Sequence, residues 1–452
     1  MGLSITTDQP AEPAVDPQFT GTAAERPATR RRIYPWLVFA LTFGLLLSDY
    51  MSRQVLSAVF PFLKAEWALS DSQLASLTSI VALMVGLLTF PLSLLADRWG
   101  RVRSLILMAV LWSIATLFCA VAANYEQLLA ARFLVGVGEA AYGSVGIAVM
   151  LSVFAPRVHS TLSGAFMAGG SFGSVVGVSL GGVIAVHLSW RWSFAAMAVL
   201  GLILVAMFRA VVTERRLAAH AVDQDAAPVA RSDSRPIRVP VSTLFTNPAV
   251  WCAYLGGGLQ IFTSAVLLAW TPSFFNRYYG MAPDKAGVIA SVFVLLIGTG
   301  MVVCGMITDR VSCRNPAGKW SSAIAFCVIS LAALGIGLQL ETGAAQLTLI
   351  GIGAFFSAGS SGPTAAMVAS LTHQSVRASA LGSLTVANNI LGLATGPFVI
   401  GILADHRGLL GALQLAPLVY LPAIVALFVG RRMYAAGVAK LAAQSAAAAA
   451  KA

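Results

Sequence analysis

The sequence predicts an all-α integral membrane protein in which twelve transmembrane helices form two pseudo-symmetric six-helix bundles. Three observations support this fold class. Of the 452 residues, 58% are hydrophobic and only 10% are charged, which is more apolar than a soluble core requires. Apolar runs long enough to cross a bilayer recur along the whole chain. Two loops with one acid–base pattern, at residues 96–103 and 308–314, occupy matching places in the two halves, as in folds built from repeats.

Each predicted span is an apolar run of about 20 residues, the length that an α-helix needs to cross the hydrocarbon layer. A β-barrel is excluded, because its strands would be runs of about 10 residues with alternating polarity. The twelve spans are predicted at residues 34–58, 74–96, 103–123, 127–152, 160–186, 193–212, 249–274, 285–308, 320–339, 345–371, 378–403 and 410–430.

Local signals mark the ends and interiors of several spans. Residues 70–73 (Ser-Asp-Ser-Gln) have the pattern of a capping box and open span 2. Pro283 and Asp284 open span 8. Spans 5 and 11 are rich in glycine, which predicts close helix packing. In span 10, residues 359–363 (Gly-Ser-Ser-Gly-Pro) predict a loosened or kinked helix, because proline removes a backbone donor.

Basic residues are distributed unequally between the two sides of the membrane. With the N-terminus inside, the tails and even-numbered loops hold 22 of the 29 Lys and Arg, the opposite loops hold five, and two lie within spans. Because cationic loops stay cytoplasmic, both termini are predicted to face the cytoplasm, and a bacterial inner membrane is expected. The net charge of +11 is then a consequence of topology. There is no basic soluble domain of the kind that binds nucleic acid.

The polar segments divide the chain into units. Residues 213–247 carry many charges and prolines and are predicted to be a cytoplasmic linker. It joins an N-terminal bundle (34–212) to a C-terminal bundle (248–432). Residues 1–33 are predicted to be a disordered cytoplasmic tail, and residues 433–452 an Ala-rich cytoplasmic tail.

The repeated loops carry the residues of a known pattern. Asp97-Arg98-x-Gly100-Arg101 lies between spans 2 and 3, and Asp309-Arg310 lies at the matching place in the second half. On these residues the chain resembles the major facilitator superfamily over essentially its whole length. The resemblance implies two six-helix bundles and alternating access. We expect these five charged groups, Asp97, Arg98, Arg101, Asp309 and Arg310, to latch the cytoplasmic helix ends.

Finer resemblances lie in spans 1, 4 and 7. Residues 132–140 look like the fourth span of spinster-like transporters and of the anion:cation symporter branch, and residues 270–280 look spinster-like. Residues 49–53 resemble the Asn-Tyr-x-Asp-Arg motif of both groups. Asp49 replaces the motif Asn, and Ser52 replaces the motif Asp.

Four ionisable side chains lie at membrane depth: Asp49 and Arg53 in span 1, and Arg132 and Glu139 in span 4. A charge in hydrocarbon costs at least about 2.5–3.5 kcal/mol, so these residues are functional candidates. We expect Glu139 and Asp49 to couple transport to protons, with Glu139 the better proton site because its arginine is two turns away. The alternative is a pair of buried ion pairs that hold spans 1 and 4 together.

Substrate contacts are predicted from both halves. Arg53 and Arg132 match a carboxylate or phosphate through their guanidinium forks, although pairing with Asp49 or Glu139 is the alternative. The second half has only neutral polar groups at this depth, which predicts hydrogen bonding to the substrate there. The remaining candidate substrate-binding residues are Tyr50, Tyr142, Gln260, Trp270, Ser361, Asn388 and Asn389.

The predicted function is a secondary active transporter that works by alternating access, with proton-coupled uptake of a small organic anion. The first alternative is a spinster-like carrier of an amphipathic, lipid-like solute. An alternative of another class is a non-transporting receptor or sensor. We expect a monomer whose partners are protons, a small-molecule substrate and the bilayer. No cofactor, metal site or enzymatic residue set is expected, since the five Cys and five His have no ligand spacing.

Overall fold

The computed structural model describes residues 28–155, 158–220, 247–373 and 376–449, and within these ranges every regular element is a helix. Eleven continuous helical segments are long and apolar enough to cross a membrane. Ten of them correspond to one predicted span each. The predicted class, an all-α membrane protein, is therefore confirmed.

The eleventh segment, Ser379–Ala442, contains two spans. As one straight helix its 64 residues would measure about 96 Å, three times the thickness of the hydrocarbon layer. Gly408 interrupts it with φ 73° and ψ 159°, a conformation that residues with a Cβ rarely adopt. The chain turns there from span 11 into span 12, which gives the twelve predicted spans.

The first bundle begins earlier than predicted, since its first helix starts at Ala28. The predicted capping box is present at span 2: the Ser70 hydroxyl accepts a hydrogen bond from the Gln73 N–H, and the Gln73 side chain accepts one from the Ser70 N–H. The helices of spans 1 to 6 are Ala28–Trp67, Asp71–Trp99, Arg101–Val121, Tyr125–Glu139 with Tyr142–Leu151, His159–His187 and Trp190–Val211, and a short helix, Glu214–His220, follows them.

The second bundle contains a π-helix that the sequence pattern did not predict. It interrupts span 11 at Asn388–Ala394. The last helix reaches Ala449, so the Ala-rich tail is helical as far as it is described. The helices of spans 7 to 12 are Pro248–Tyr278, Pro283–Arg314, Gly318–Gly337, Ala344–Ser357 with Ser361–Ser370, Arg377–Ala387 with Asn388–Ala394 and Thr395–Leu415, and Ala416–Val419 with Tyr420–Ala449, where Thr395–Leu415 includes the turn at Gly408. Most of the predicted N-terminal tail and linker lies outside the described residues.

Spans 4 and 10 are both broken near their middles. Span 10 ends one helix at Ser357 and begins the next at Ser361, as the Gly-Ser-Ser-Gly-Pro sequence predicts. Span 4 breaks after Glu139 and resumes at Tyr142. Spans 4 and 10 are the fourth helices of their bundles, so the two breaks stand at equivalent places in the repeats. Irregular backbone at membrane depth is tolerated where protein or a cavity, rather than lipid, surrounds it.

The two bundles pack most closely at the end opposite the repeated loops. A Cβ on Gly182 of span 5 would lie 3.1 Å from the Pro283 carbonyl oxygen of span 8. A Cβ on Gly401 of span 11 would lie 2.8 Å from the carbonyl oxygen of Asp71 in span 2. Nearer the loops, a Cβ on Gly164 or Gly382 would meet no described atom within 4 Å. The closest backbone approaches between these pairs of spans therefore lie near the end opposite the repeated loops.

The predicted orientation is tested by thiol labelling of intact cells. Asn124→Cys and Glu341→Cys, at exposed outer helix ends, are expected to react with a membrane-impermeant maleimide. Native Cys313 is exposed at the loop end of span 8 and serves as the internal control, which should react only after permeabilisation. Labelling of Cys313 in intact cells, with protection of the two introduced cysteines, would show that the orientation is the reverse of the predicted one.

Candidate functional site

A cluster of charged side chains joins spans 1 and 4 at the centre of the first bundle. The Arg53 guanidinium donates to Glu139 Oε2 through Nη2 at 2.7 Å and through Nε at 3.1 Å. The Glu139 side chain is fully buried, whereas that of Arg53 keeps 17% of its surface exposed. Arg53 is therefore the charged group of the cluster that solvent or a ligand can reach.

Asp49 completes this cluster without an ion pair of its own. Its carboxyl is buried, interacts electrostatically with Arg53 and Glu139, and is close enough to the Glu139 carboxyl for a hydrogen bond when one of the two is protonated. Its Oδ1 has no hydrogen-bond partner among the described residues. The Ser52 hydroxyl, which replaces the motif Asp, lies 3.5 Å from Glu139 Oε1 and donates to the Asp49 carbonyl at 2.8 Å.

This geometry corrects the expected pairing. The one-turn spacing places Arg53 nearest to Asp49 along the helix, but the guanidinium forms its ion pair across the helices with Glu139. The physical reason is reach, because the long Arg53 side chain extends to the neighbouring helix. The reason given for preferring Glu139 as the proton site is therefore wrong, since Glu139 forms the ion pair with Arg53, and Asp49 forms none among the described residues.

Arg132 has a different role from Arg53. It is completely buried, and it donates to the main-chain carbonyls of Leu77 (3.2 Å), Ser52 (3.2 Å) and Arg53 (3.4 Å). No ion pair joins it to Glu139 in the part of the chain that the structure describes. Arg132 thus ties span 4 to spans 1 and 2, and in this conformation it offers no surface to a substrate.

The break in span 4 positions Glu139. Two glycines let the helix pack closely against its neighbours just before the break. A Cβ on Gly136 would lie 2.8 Å from Met84 Cβ, and a Cβ on Gly138 would lie 2.6 Å from the main-chain nitrogen of Trp112. The Thr89 hydroxyl donates to the Ala140 carbonyl, freed by the break, at 2.6 Å. Glu139 is consequently the last residue of a well-anchored helix, with its carboxyl directed at span 1.

The predicted aromatic residues of the first half have separate roles. Tyr50 is partly exposed, and the Arg53 guanidinium lies 5.3 Å from the centre of its ring, within the range of a cation–π contact. Tyr142 is fully buried, donates to the Thr42 carbonyl at 2.7 Å and packs edge-on against Trp112. Tyr50 therefore belongs to the charge cluster, and Tyr142 lies in the core.

In the second half, Gln260 and Trp270 are engaged with the protein. Gln260 spans the break in span 10: its Oε1 accepts from the Ser360 N–H at 2.8 Å, and its Nε2 donates to the Phe356 carbonyl at 3.3 Å. Trp270 donates to the Pro397 carbonyl at 3.3 Å and contacts Phe60 of the first bundle. Gln260 holds the broken helix, and Trp270 belongs to the contact between bundles.

The π-helix carries two amide oxygens that lack hydrogen-bond partners among the described residues. Asn389 donates to the Thr385 carbonyl at 2.9 Å, but the Oδ1 atoms of both Asn388 and Asn389 are buried without a hydrogen-bond partner among the described residues. Asn389 packs against Gly86 of span 2, so it lies between the bundles. Ser361 is partly exposed at the start of the helix after the span 10 break. Single π-turns are frequent at functional sites.

An ionic contact that the sequence pattern did not predict joins the bundles at the end opposite the repeated loops, the predicted outer end. Arg277 of span 7 donates to both carboxylate oxygens of Asp71 at 2.6 and 2.8 Å, and Lys64 adds a bond of 2.6 Å. Asp405 of span 11 accepts from the N–H groups of Asp71 and Ser72 at 2.6 and 3.1 Å. The sequence of residues 70–73 predicts only a helix cap. The interbundle role depends on the approach of spans 7 and 11, which no local pattern encodes.

Of the predicted cytoplasmic latch, Arg101 interacts with another group, whereas three members form no ion pair among the described residues. Arg98, Asp309 and Arg310 are exposed, and none of them forms an ion pair with another described residue. The side chain of Asp97 lies outside the described residues. Described ionic contacts therefore join the two bundles at the Asp71 end. Within the described ranges, no group of three His, Cys, Asp or Glu side chains is suited to hold a metal ion.

Comparisons with known proteins agree with this architecture. The family model described as Major Facilitator Superfamily matches residues 42–397. The hexuronate transporter of Bacillus subtilis is 24% identical over 381 residues, which cover 83% of this chain and 88% of that protein. The gallate transporter of Pseudomonas putida is 28% identical over 337 residues, which cover 68% and 73%.

A solved structure shares the fold and is described as facing inward. It is a bacterial homologue of the human lysosomal transporter spinster in an inward-facing and unoccupied conformation. Its TM-score to this chain is 0.78 at 17% sequence identity, and the match covers 89% of this chain and 98% of the other.

The outer contact generates a testable prediction. Asp71→Asn is expected to shift the protein toward a state open at the outer end, because this pair bridges the two bundles. A loss of about 1.4 kcal/mol already shifts the equilibrium tenfold. Spin labels on Ala65→Cys and Ala282→Cys, exposed outer positions on the two bundles, would report the change as a longer distance by double electron–electron resonance.

Arg191→Gln is the matched control for this experiment. It breaks an ion pair with Glu66 inside the first bundle only, so the distance distribution should stay as in the unsubstituted protein. An unchanged distribution in Asp71→Asn would mean that the pair does not hold the bundles closed.

Proposed function

Because the chain belongs to the major facilitator superfamily, we propose that it carries a small organic anion across the membrane by alternating access, together with protons and in the direction of uptake. The observation that supports this most strongly is the cluster of Arg53, Glu139 and Asp49. It combines one partly exposed cation with two carboxyls in a buried site. A carrier of anions and protons needs those groups within reach of one another.

The anion is proposed to bind at Arg53. The guanidinium is planar, permanently charged and able to hold a carboxylate through two parallel hydrogen bonds. Tyr50, beside it, offers a ring face to the substrate. The relatives named for hexuronate and gallate carry substrates with a carboxylate, which fits this chemistry.

Coupling follows from competition for Arg53. In this conformation Glu139 holds the guanidinium, and Asp49 Oδ1 has no hydrogen-bond partner among the described residues, which supports Asp49 as the carboxyl that binds a proton. A substrate carboxylate that takes Arg53 leaves Glu139 buried without its cation. A buried, unpaired carboxylate is strongly disfavoured, so Glu139 takes up a proton at that moment. Substrate and proton then occupy the site together, which is the condition for symport.

The second bundle is proposed to recognise the polar part of the substrate. Asn388 and Asn389 supply buried acceptors without partners, and their amide groups also donate. Ser361 adds a hydroxyl near the break in span 10. Gln260, Trp270, Tyr142 and Arg132 support this site by holding helices in place rather than by touching the substrate.

An apolar cavity favours the second candidate, a carrier of an amphipathic solute. It has a volume of about 660 Å³ and lies between spans 7, 11 and 12, against Trp251, Tyr254, Ile390 and Val429. Trp251 is half exposed, so the cavity reaches the molecular surface beside the π-helix. A transport screen with hexuronates, gallate and a lysophospholipid in proteoliposomes separates the two candidates.

Glu139→Gln tests the coupling. The amide cannot exchange a proton but resembles the protonated acid, so exchange of substrate at equal pH should persist. For one proton per substrate, a gradient of one pH unit supports about tenfold accumulation. Glu139→Gln should show no pH-driven accumulation. The measurement uses labelled substrate in proteoliposomes.

Glu126→Gln is the control for that substitution, because Glu126 lies exposed at the outer start of span 4. It should accumulate substrate as the unsubstituted protein does. If Glu139→Gln retained full pH-driven accumulation, Glu139 would be ruled out as a coupling residue.

Arg53→Lys tests the anion site. The charge remains but the bidentate fork is lost, so the KM for an anionic substrate should rise at least about tenfold. Arg191→Lys, at a half-exposed outer ion pair, should leave the KM unchanged.

The double variant Arg53→Gln with Glu139→Gln distinguishes a role of Arg53 in substrate binding from a role in holding the helices together. Removing both partners of the ion pair leaves no unpaired buried charge, so the protein should fold. It should nevertheless fail to bind the anion. Unchanged substrate affinity in this variant would remove Arg53 as the substrate ligand.

A further inference from the structure

A small cavity on the loop face lies outside the transport pathway described above. It has a volume of about 430 Å³ and is formed where span 2 ends and span 3 begins. Its lining residues are Arg98, Trp99, Arg103, Ser104 and Leu107. Neither the charge cluster nor the π-helix contributes to it.

The polar groups of this cavity lack partners. Arg98 and Arg103 are exposed, and neither forms an ion pair or hydrogen bond with another described residue. The Ser104 side chain is only 4% exposed, yet its hydroxyl has no hydrogen-bond partner in the described part of the chain. Two free guanidinium groups beside an unused hydroxyl donor are the groups that bind a phosphate.

The start of span 3 is already capped on its inner side. The Glu214 carboxylate accepts from the Val102 N–H at 2.9 Å, and Val102 is buried. The Val102 N–H is therefore already used by Glu214. An anion in the cavity would be bound by the side chains of Arg98, Arg103 and Ser104 instead.

The other wall of the cavity is apolar and continues into the membrane. Trp99 and Leu107 are 57% and 56% exposed. Along span 3, Leu107 is followed by the exposed apolar residues Ile114, Phe118 and Val121, one stripe that faces the lipid chains. Tryptophan and arginine are typical of the level of the lipid head groups.

We propose that this cavity binds an anionic phospholipid of the leaflet at the loop face. The phosphate lies between Arg98 and Arg103 and accepts a hydrogen bond from Ser104 Oγ. The acyl chains follow Leu107 and the stripe below it. The continuity of a cationic pocket with a lipid-facing stripe selects a lipid over a soluble anion, because a free phosphate would leave Trp99 and Leu107 without a role.

The site tethers the loop between spans 2 and 3 to the membrane surface. Gly100 connects the two helices, and its φ of 98° makes a sharp turn between them. A lipid bound on both sides of the turn holds the ends of spans 2 and 3 at a constant depth. This inference is independent of the transported substrate.

Native mass spectrometry tests the proposal on the full-length, delipidated protein. Phosphatidylglycerol is titrated in parallel with phosphatidylcholine, and the anionic lipid is expected to bind more tightly. Each of Arg98→Gln and Arg103→Gln should weaken phosphatidylglycerol binding about fivefold, the effect of one basic residue near an anionic lipid surface. Ser104→Ala should weaken it severalfold without loss of folding, because the Ser104 hydroxyl has no hydrogen-bond partner among the described residues.

Arg310→Gln is the matched control. Arg310 is the exposed arginine of the second copy of the loop, and its removal takes away the same charge without touching the cavity. Binding that falls equally in Arg310→Gln, or that survives in the Arg98→Gln, Arg103→Gln double variant, would overturn the proposal. Displacement of the lipid by millimolar inorganic phosphate would overturn it as well, since the site would then bind free anions.

Discussion

A charge buried among membrane helices must find a partner, and this constraint organises the first bundle. Arg53 satisfies it with Glu139 across two helices, and Arg132 satisfies it with three main-chain carbonyls. Asp49 is left with an unpaired carboxylate oxygen beside them. A site with one cation and two carboxyls has more than one stable distribution of protons and partners. Such a site can respond to a ligand, whereas a fully paired site would only hold the helices together.

Broken helices lie beside the proposed site, and a specific side chain binds the backbone at each break. Thr89 takes the carbonyl freed in span 4, and Gln260 binds both sides of the break in span 10. The π-helix in span 11 leaves the Oδ1 atoms of Asn388 and Asn389 free. The protein thus stabilises the breaks at equivalent places in the repeats, and Asn389 places an amide oxygen without a described partner between the bundles.

Ionic contacts differ between the two ends of the molecule. At the outer end, Asp71 and Arg277 join the bundles through two hydrogen bonds, and Asp405 adds its own bonds to the start of span 2. At the loop face, the exposed Arg98, Asp309 and Arg310 have no described ion-pair partners. Alternating access requires contacts that form at one end while those at the other end are broken. The ionic contacts at the outer end fit one of these two states.

The sequence by itself determined the twelve spans, the capping box at Ser70, the break in span 10 and the short set of buried charges. These follow from hydrophobic length, local hydrogen bonding and proline geometry, all of which act within a few residues. Only the tertiary structure decided that Arg53 pairs with Glu139 rather than Asp49, that Arg132 and Gln260 hold backbone, and that Asp71 bridges the bundles. A long side chain selects among partners on different helices, and which helices lie within its reach depends on packing between distant parts of the chain. The break after Glu139 belongs to the same class, because neighbouring helices stabilise it and no local proline marks it.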